Sequence, residues 1–266
     1  MKIIDGFIFY NELVLLKYRF AILKDVVDYF IIVESTHTFS GKEKPLFYEI
    51  NKQLFEDMKD KIIHIVVKDM PYKYPNINYE KNEQWENEYH QRNSIALGLK
   101  NLVLNDEDVI IFSDLDEIPD PNTLLKIKNN DIVVKVNSLE MDFYYYNLNN
   151  RFIDKMYVSK IIEFNTYLNL SLPIQDIRYL NCEIIQKGGW HLSYFGDAKF
   201  IKNKIQNFAH QELNNDNFTD IEKINNKIKN GLDLFDRTYD SSRLKYISLS
   251  ENDYLPYKYD EYLNNF

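Results

Sequence analysis

The stretch that decides the fold is VIIFSDLDEIP, from Val109 to Pro119. Its apolar start is typical of a strand buried on both faces of a sheet. Three carboxylates, those of Asp114, Asp116 and Glu117, follow directly at the end of this strand. Carboxylates placed this close together repel one another, and a bound cation relieves the repulsion. The stretch therefore predicts a buried strand that ends in an acidic turn, for which cation binding is one interpretation.

The segments around this stretch alternate between strands and helices. Helical spacing predicts a helix over residues 11–23 with Asn11 as its N-cap, and a second helix from about Asn82 to Leu104. Strands are predicted at KIIDGFIFY (2–10), VVDYFIIVES (26–35), KIIHIVVKD (61–69), DIVVKVNS (131–138) and KMYVSKIIEF (155–164). This order predicts an α/β fold with a mostly parallel central sheet covered on both faces. Ligands of such sheets lie beyond the carboxyl ends of the strands, which places Glu34 and the acidic turn on one rim.

The last third of the chain changes character. Residues 198–213 and 218–231 have helical patterns, the second with Gly231 as its C-cap, and an irregular segment is expected from Tyr239. We treat this third as C-terminal helices of the same domain, because neither a linker composition nor an internal repeat separates it.

Charge and composition exclude some classes of protein. The net charge of −9 disfavours a nucleic-acid partner, whereas a nucleotide held through a divalent metal stays compatible with it. The single cysteine, Cys182, forms no internal disulfide and fits a reducing compartment. We find no signal peptide and no apolar run near the roughly 20 residues of a membrane span. The sequence therefore predicts a soluble, cytoplasmic chain, and its Asn, Ile, Lys and Tyr content indicates an AT-rich microbial or viral genome.

The Asp-x-Asp motif of the acidic turn has three interpretations. It is a solvated turn, since turns favour Asp; the nucleophile of a haloacid-dehalogenase-type phosphatase; or the metal-binding motif of a sugar-nucleotide-dependent glycosyltransferase. The phosphatase motif lies near the N-terminus and has Thr or Val where this chain has Ile118, so we disfavour it. In the third interpretation Mn²⁺ or Mg²⁺ neutralises the leaving diphosphate.

Neighbouring stretches favour the third interpretation. NELVLLKYRF (11–20), DVVDYFIIVESTHTFSGKEKPL (25–46), SDLDEIP (113–119), GGWHLSYFG (188–196) and, more loosely, GLDLFDR (231–237) together resemble glycosyltransferase family 17, the β-1,4-mannosyl-glycoprotein 4-β-N-acetylglucosaminyltransferases. The resemblance implies a GT-A type, Rossmann-like domain over residues 1–266. Residues 1–138 are then the nucleotide-sugar-binding half and residues 139–266 the acceptor-binding half. It also implies an inverting transfer from UDP-N-acetylglucosamine to a glycan acceptor, with Mn²⁺ or Mg²⁺ as cofactor.

The resemblance also assigns expected metal ligands. Asp116 is the expected direct ligand, with Asp114 facing the ribose or reaching the metal through water, and Glu117 stands behind them or closes the turn. His191 is either a late metal ligand or a core histidine beside aromatic rings. The two glycines before Trp190 predict a backbone that passes close to a ligand or to another segment.

Further candidates are expected to hold the donor. Glu34, Thr36 and Thr38 suit the hydroxyls of a nucleoside, and an ordinary polar loop is the alternative. Arg92 suits diphosphate oxygens, and a surface arginine is the alternative. Asn93, Arg178 and Lys187 are weaker candidates, and Trp190 and Tyr194 either line a sugar or pack in the core.

The general base of an inverting transfer is expected among the carboxylates between the metal motif and the late histidine. Asp176, Asp142 and Glu140 lie there, with Asp176 as the preferred candidate, and Asp236 is an outside candidate. Two competing functions stay open: a transferase for another UDP-sugar, such as UDP-glucose or UDP-galactose, and a non-catalytic carbohydrate-binding module of the same fold.

Overall fold

The computed structural model describes residues 1–237, 243–264 and 266, and within them ten strands form one mixed sheet. The strands are β1 (Ile3–Phe9), β2 (Tyr29–Ser35), β3 (Ile62–Val67), β4 (Val109–Asp114), β5 (Glu117–Pro119), β6 (Val136–Tyr145), β7 (Asn150–Phe152), β8 (Lys160–Glu163), β9 (Glu183–Ser193) and β10 (Leu244–Tyr246). The helices are α1 (Leu13–Leu23), α2 (Phe47–Asn51), α3 (Glu83–Asn93), α4 (Ile95–Leu99), α5 (Pro121–Lys128), α6 (Phe164–Leu170), α7 (Ile174–Arg178), α8 (Ala198–Asn207), α9 (Asp216–Thr219), α10 (Ile221–Asn230) and α11 (Tyr259–Tyr262). Short 3₁₀ segments lie at Lys52–Lys61, Tyr79–Lys81, Gln211–Leu213 and Leu249–Glu251.

Strand direction divides the sheet into two parts. The order is β10-β7-β6-β8-β4-β1-β2-β3, and β4, β1, β2 and β3 are parallel to their neighbours in this group. Strand β8 is antiparallel to both β4 and β6, and β9 pairs with β5 antiparallel and with β6 parallel. The α/β class is therefore confirmed, but the predicted mostly parallel sheet is wrong for the second half of the chain. Apolar runs report burial on two faces and carry no direct information on strand direction.

Both faces of the sheet are covered, as the apolar strands predict. Along β4, Val109 and Ile111 join the core cluster that includes α1, whereas Ile110 and Phe112 join the cluster on the opposite face, with α4 and α7. A third cluster, which includes Tyr194 of loop β9–α8, packs under helices α8 and α10. These layers leave the carboxyl ends of β1, β2 and β4 as the open rim.

Several predicted boundaries differ from the observed ones. The N-cap residue of α1 is Glu12 rather than Asn11, and it makes no side-chain capping bond. The helix predicted from Asn82 to Leu104 is interrupted at Ser94, and α4 ends at Leu99. The predicted strand over residues 131–138 starts only at Val136 and continues to Tyr145, and the one over residues 155–164 contracts to β8.

At the C-terminal end, Gly231 ends α10 in the left-handed region with a φ of 59°, as predicted. Tyr239, at which the irregular segment was expected to begin, lies outside the described residues. None of the helices in the described ranges combines the length and the apolar character needed to cross a membrane.

Candidate active site

A cavity of about 380 Å³ opens at the carboxyl ends of β1, β2 and β4. Strand register brings these ends together, because Ile8 of β1 pairs with Asp114 of β4 and Phe9 of β1 pairs with Glu34 of β2. Helices α3, α7 and α8 and strand β9 complete the wall, so both predicted halves of the chain contribute to it. The polar lining residues include Glu12, Ser35, His37, Thr38, Lys44, Glu88, Gln91, Arg92, Asp114, Asp116, Glu117, Arg178, His191, Ser193 and Lys204.

The backbone of the acidic turn is fixed by Arg19 of α1, which is fully buried. Its Nη1 donates to the carbonyl oxygens of Asp114 (3.0 Å), Leu115 (3.0 Å) and Glu117 (2.8 Å). Its Nε and Nη2 donate to the two carboxylate oxygens of Asp5 at 2.8 and 2.6 Å. A guanidinium has five donors in one plane, which suits this convergence of acceptors. Arg19 was not among the residues selected from the sequence. The signal that could have found it is a charged residue inside each of two apolar segments, Asp5 in the predicted strand 2–10 and Arg19 in the predicted helix 11–23.

Glu117 is the most deeply buried carboxylate of the acidic turn. It is 1% exposed, and its carboxylate accepts hydrogen bonds from the Asp114 backbone N–H (2.9 Å), from Ser159 Oγ (2.6 Å) and from Arg178 (2.5 and 2.8 Å). Burial alone raises the pKa of Glu117, but the charge and hydrogen bonds of Arg178 outweigh it and lower the pKa to about 2. Glu117 is thus an ionised carboxylate that organises the turn from behind.

Two buried arginines converge on Asp114. Arg92 donates from Nη2 to Asp114 Oδ1 at 2.9 Å, and Arg178 donates from Nη2 to Asp114 Oδ2 at 2.9 Å. Arg92 also pairs with Glu88 at 2.6 Å and hydrogen-bonds to Gln175. Because Arg92 is 1% exposed, its interpretation as a surface arginine is wrong. Asn93 next to it accepts from the Gln175 backbone N–H at 2.9 Å, and so positions α7 against α3 rather than lining the cavity.

Asp116 is paired with a lysine that the sequence analysis missed. Lys204 Nζ of α8 lies 2.8 Å from Asp116 Oδ2 and 3.3 Å from Glu12 Oε1. Burial opposes ionisation of Asp116, but the charges of Lys204 and His191 outweigh it and hold the pKa of that carboxyl far below its usual range. Burial likewise lowers the pKa of Lys204, but Asp116 and Glu12 outweigh it and raise the pKa above its usual value. The result is an ion pair on the cavity wall between a buried carboxylate and a partly exposed lysine.

His191 packs beside an aromatic ring, as one of its two interpretations predicted, and its role as a metal ligand stays a prediction. Its ring stacks on Phe143 at 4.7 Å, while its Nε2 lies 3.5 Å from Asp116 Oδ1 and 3.3 Å from Ser193 Oγ. Among the described residues, its buried Nδ1 has no hydrogen-bond partner. Burial lowers the pKa of His191, and Asp116 reverses this, so the pKa is raised overall. His191 is therefore a packed residue whose outer nitrogen faces the acidic turn.

The glycines before Trp190 bring β9 against its neighbours. A Cβ on Gly189 would lie 2.1 Å from the carbonyl oxygen of Ile118, and Gly189 has a φ of +152°. A Cβ on Gly188 would lie 2.7 Å from Leu139 Cβ. The predicted close approach is confirmed, and the neighbour is another segment rather than a ligand. The β5–β9 pairing that it permits puts His191 opposite Glu117.

The acidic turn offers few protein ligands for a divalent metal. Within the described ranges, no three His, Cys, Asp or Glu side chains are grouped so that they could hold a metal ion. Both carboxylate oxygens of Asp114 accept hydrogen bonds from arginines. Asp116 and His191, whose Oδ1 and Nε2 lie 3.5 Å apart, are therefore the two candidate ligands for an ion at this turn. Mg²⁺ commonly takes one or two protein ligands and completes its shell with phosphate oxygens and water. These two residues therefore fit an ion that arrives with a diphosphate and do not form a closed protein site.

The residues predicted for the nucleoside are only partly at the cavity. Thr38 lines it, with its Oγ1 2.9 Å from Ser40 Oγ, and so do Ser35, His37, Phe39 and Lys44, which the sequence analysis did not select. Glu34 lies behind the wall, where it is fully buried, accepts from the Tyr48 backbone N–H (3.0 Å) and contacts His64 (3.2 Å). Thr36 also lies off the wall, with its Oγ1 2.9 Å from His37 Nδ1.

The predicted general bases do not reach the cavity wall. Asp142 is 2% exposed and is paired with Lys155 and with Arg151 (3.2 Å), whereas Asp176 is exposed on α7 and Glu140 lies on β6. The outside candidate Asp236 pairs with Lys227 at 2.8 Å. Their catalytic roles stay predictions that this geometry does not favour.

The remaining candidates also lie away from the cavity. Trp190 is 1% exposed in the core, and its Nε1 donates to the Tyr254 carbonyl oxygen at 3.0 Å. Tyr194 is buried in the third core cluster. Lys187 lies above the Tyr254 ring, with its Nζ 5.4 Å from the ring centre. The core interpretation is therefore the observed one for the two aromatic residues.

Comparison with known proteins supplies an independent finding. A family model described as "Glycosyltransferase family 17" matches residues 1–246, a range that contains every residue lining the cavity. The search of curated proteins finds no match.

Proposed function

The chain belongs to glycosyltransferase family 17, and we propose that it transfers N-acetylglucosamine from UDP-N-acetylglucosamine to a glycan hydroxyl, with inversion, on a GT-A type fold. The observation that carries the proposal is the cavity beyond the strand ends, where Asp114 and Asp116 stand beside Arg92 and Arg178. Ligands of open α/β sheets bind at this position. Arg92 and Arg178, both held by Asp114, place rigid guanidinium groups at the cavity wall, and guanidinium groups suit diphosphate oxygens.

Mn²⁺ or Mg²⁺ is part of the proposal, with Asp116 and His191 as the protein side of its shell. When bound, such an ion would neutralise the departing diphosphate as a Lewis acid. The protein's own part is positional. Arg19 and Glu117 fix the acidic turn, and Asp114 fixes both arginines, so the charged groups need no rearrangement when the bond breaks.

The acceptor hydroxyl needs a carboxylate that takes its proton. Glu12, Glu88, Asp114, Asp116 and Glu117 are the carboxylates among the described cavity residues. Asp114 is held by two arginines, Glu117 is 1% exposed and bound by Arg178, and Asp116 and Glu12 share Lys204. Within the described part of the chain Glu88 has one side-chain partner, Arg92 at 2.6 Å, and its side chain is 15% exposed. We therefore assign the general base to Glu88.

Replacing Glu88 by Gln tests this assignment. A general base contributes roughly 10²–10⁴-fold to a rate, so we expect kcat for transfer to fall by about 10²-fold or more. The affinity for UDP should change by less than about threefold, because the amide still accepts from Arg92. Steady-state UDP release in the presence of acceptor and calorimetry of UDP binding measure the two quantities.

Two variants serve as controls for Glu88. Glu86→Gln changes an exposed glutamate on the same helix and should leave both quantities unchanged. Asp176→Asn tests the alternative drawn from the sequence. A hundredfold loss in Asp176→Asn with a near-normal rate in Glu88→Gln would transfer the role to Asp176.

A donor screen tests the function itself. Transferases release the donor sugar slowly to water, so hydrolysis reports which donor the site accepts. We expect UDP-N-acetylglucosamine to be hydrolysed fastest among UDP- and GDP-sugars. Preference for UDP-glucose or UDP-galactose would replace the donor within the same reaction, and preference for a GDP-sugar would refute the assignment. Calorimetry of UDP with and without Mn²⁺ addresses the non-catalytic module, for which binding without turnover and without metal dependence is expected.

A further inference from the structure

Four lysine and arginine side chains line the cavity within the described ranges, and they differ in accessibility. The side chain of Lys204 is 19% exposed, whereas those of Arg92, Arg178 and Lys44 are 2%, 5% and 5% exposed. Lys204 is therefore the cation most open to a molecule in the cavity.

Each of the two arginines is held by two carboxylates. Arg92 bridges Glu88 and Asp114, and Arg178 bridges Asp114 and Glu117. Both guanidinium groups are almost fully buried, and moving Arg178 would also leave the buried Glu117 carboxylate without its cation, which is costly. Lys44 lies 3.7 Å from Glu34, which is fully buried behind the wall.

Lys204 is attached in a way that allows its ammonium to move. Its Nζ lies between Asp116 Oδ2 (2.8 Å) and Glu12 Oε1 (3.3 Å), 5.5 Å from the centre of the Tyr194 ring. A lysine carries a compact charge on a flexible stem with rotatable donors, and lysines commonly bind phosphate as point charges. A shift of the ammonium toward a diphosphate leaves Asp116 buried and negative, so Asp116 then needs another cation.

We propose that the ammonium of Lys204 moves from Asp116 to the diphosphate of the donor, so that the Asp116 carboxylate becomes free to bind the divalent ion. This inference rests on the proposed function. Asp116 keeps a cationic partner in both arrangements, and the diphosphate gains one. Lys204 and the metal then compete for Asp116, and the donor resolves the competition. Because coupling between two ligands is reciprocal, donor and metal each raise the affinity of the other through this side chain.

Binding calorimetry on Lys204→Met tests the proposal with two titrations whose shifts have opposite signs. Titrated alone, Mn²⁺ should bind the variant at least about fivefold more tightly than the wild type, because Asp116 has lost its competitor. Titrated in EDTA, UDP should bind the variant at least about tenfold more weakly, a change within the range of one charged hydrogen bond. A purely structural role would weaken both.

Controls keep the outcomes separate. Lys199→Met removes an exposed lysine of the same helix and should shift neither titration. If Lys204→Met does not fold, Lys204→Gln takes its place in both titrations. The wild type titrated with UDP in EDTA is a further test, because the proposal requires that the wild type binds UDP without metal. Normal UDP binding in EDTA by a folded Lys204 variant, or shifts of the same sign, would overturn the role of Lys204 alone. Absence of UDP binding to the wild type with or without Mn²⁺ would overturn the proposed function as well.

Discussion

Replacing Asp116 by Asn is expected to reduce kcat for sugar transfer by about 10³-fold, equivalent to about 4 kcal/mol of transition-state stabilisation. The amide keeps the size of the side chain but removes the charge that faces Lys204 at 2.8 Å and His191 at 3.5 Å. Both the divalent ion and the lysine depend on that charge in the mechanism proposed above. The electrostatic groups at a reaction centre are commonly worth this much.

The measurement is steady-state UDP release from UDP-N-acetylglucosamine, with and without a glycan acceptor. Asp220→Asn is the matched control, because Asp220 is the exposed N-cap of α10 and Asn caps helices equally well. A thermal melt checks that the Asp116 variant is folded. More than a tenth of the wild-type rate in a folded Asp116→Asn protein would contradict the assignment of the acidic turn as the reaction centre.

The rim of the site could be predicted from the sequence because it depends on local patterns. An apolar run that ends in carboxylates places Asp114 and Asp116 at a strand end, and strand-end geometry then gathers residues from neighbouring strands. Arg92 and Arg178 were selected as cations and do converge on Asp114. The family resemblance was drawn from stretches that include Asp114 and Asp116, and the family match confirms it.

The contacts across the cavity could not be predicted, because they depend on packing between distant segments. Lys204 lies 88 residues from Asp116 along the chain, and nothing in the amphipathic pattern of α8 distinguishes it from Lys199 or Lys202. Trp190 shows the opposite difficulty, since an aromatic residue beside a site residue suits a sugar platform as well as a core. Trp190 is buried because Tyr254, 64 residues later in the chain, packs against it.

Replacing Arg19 by Met is expected to lower the free energy of unfolding by about 4 kcal/mol, within the roughly 3–5 kcal/mol found when one partner of a buried ion pair is removed. The variant leaves Asp5 fully buried without its cation and removes the donor of three backbone carbonyls in the acidic turn. At about 2–4 °C per kcal/mol for a chain of this size, the melting temperature should fall by roughly 8–16 °C. Chemical denaturation and thermal melts measure both.

Function should suffer in the Arg19 variant even where the protein stays folded, because the side chain acts on the turn and not on the ligand. We expect weaker UDP binding at temperatures well below the melting point, since Asp114 and Asp116 lose the backbone support that aims their carboxylates. Lys17→Met, two residues earlier on the exposed face of α1, is the control and should change neither quantity. Asp5→Asn combined with Arg19→Met removes the unpaired charge but not the broken carbonyl contacts. It should therefore recover stability and leave UDP binding weak, and recovery of both would show that the turn does not depend on the guanidinium.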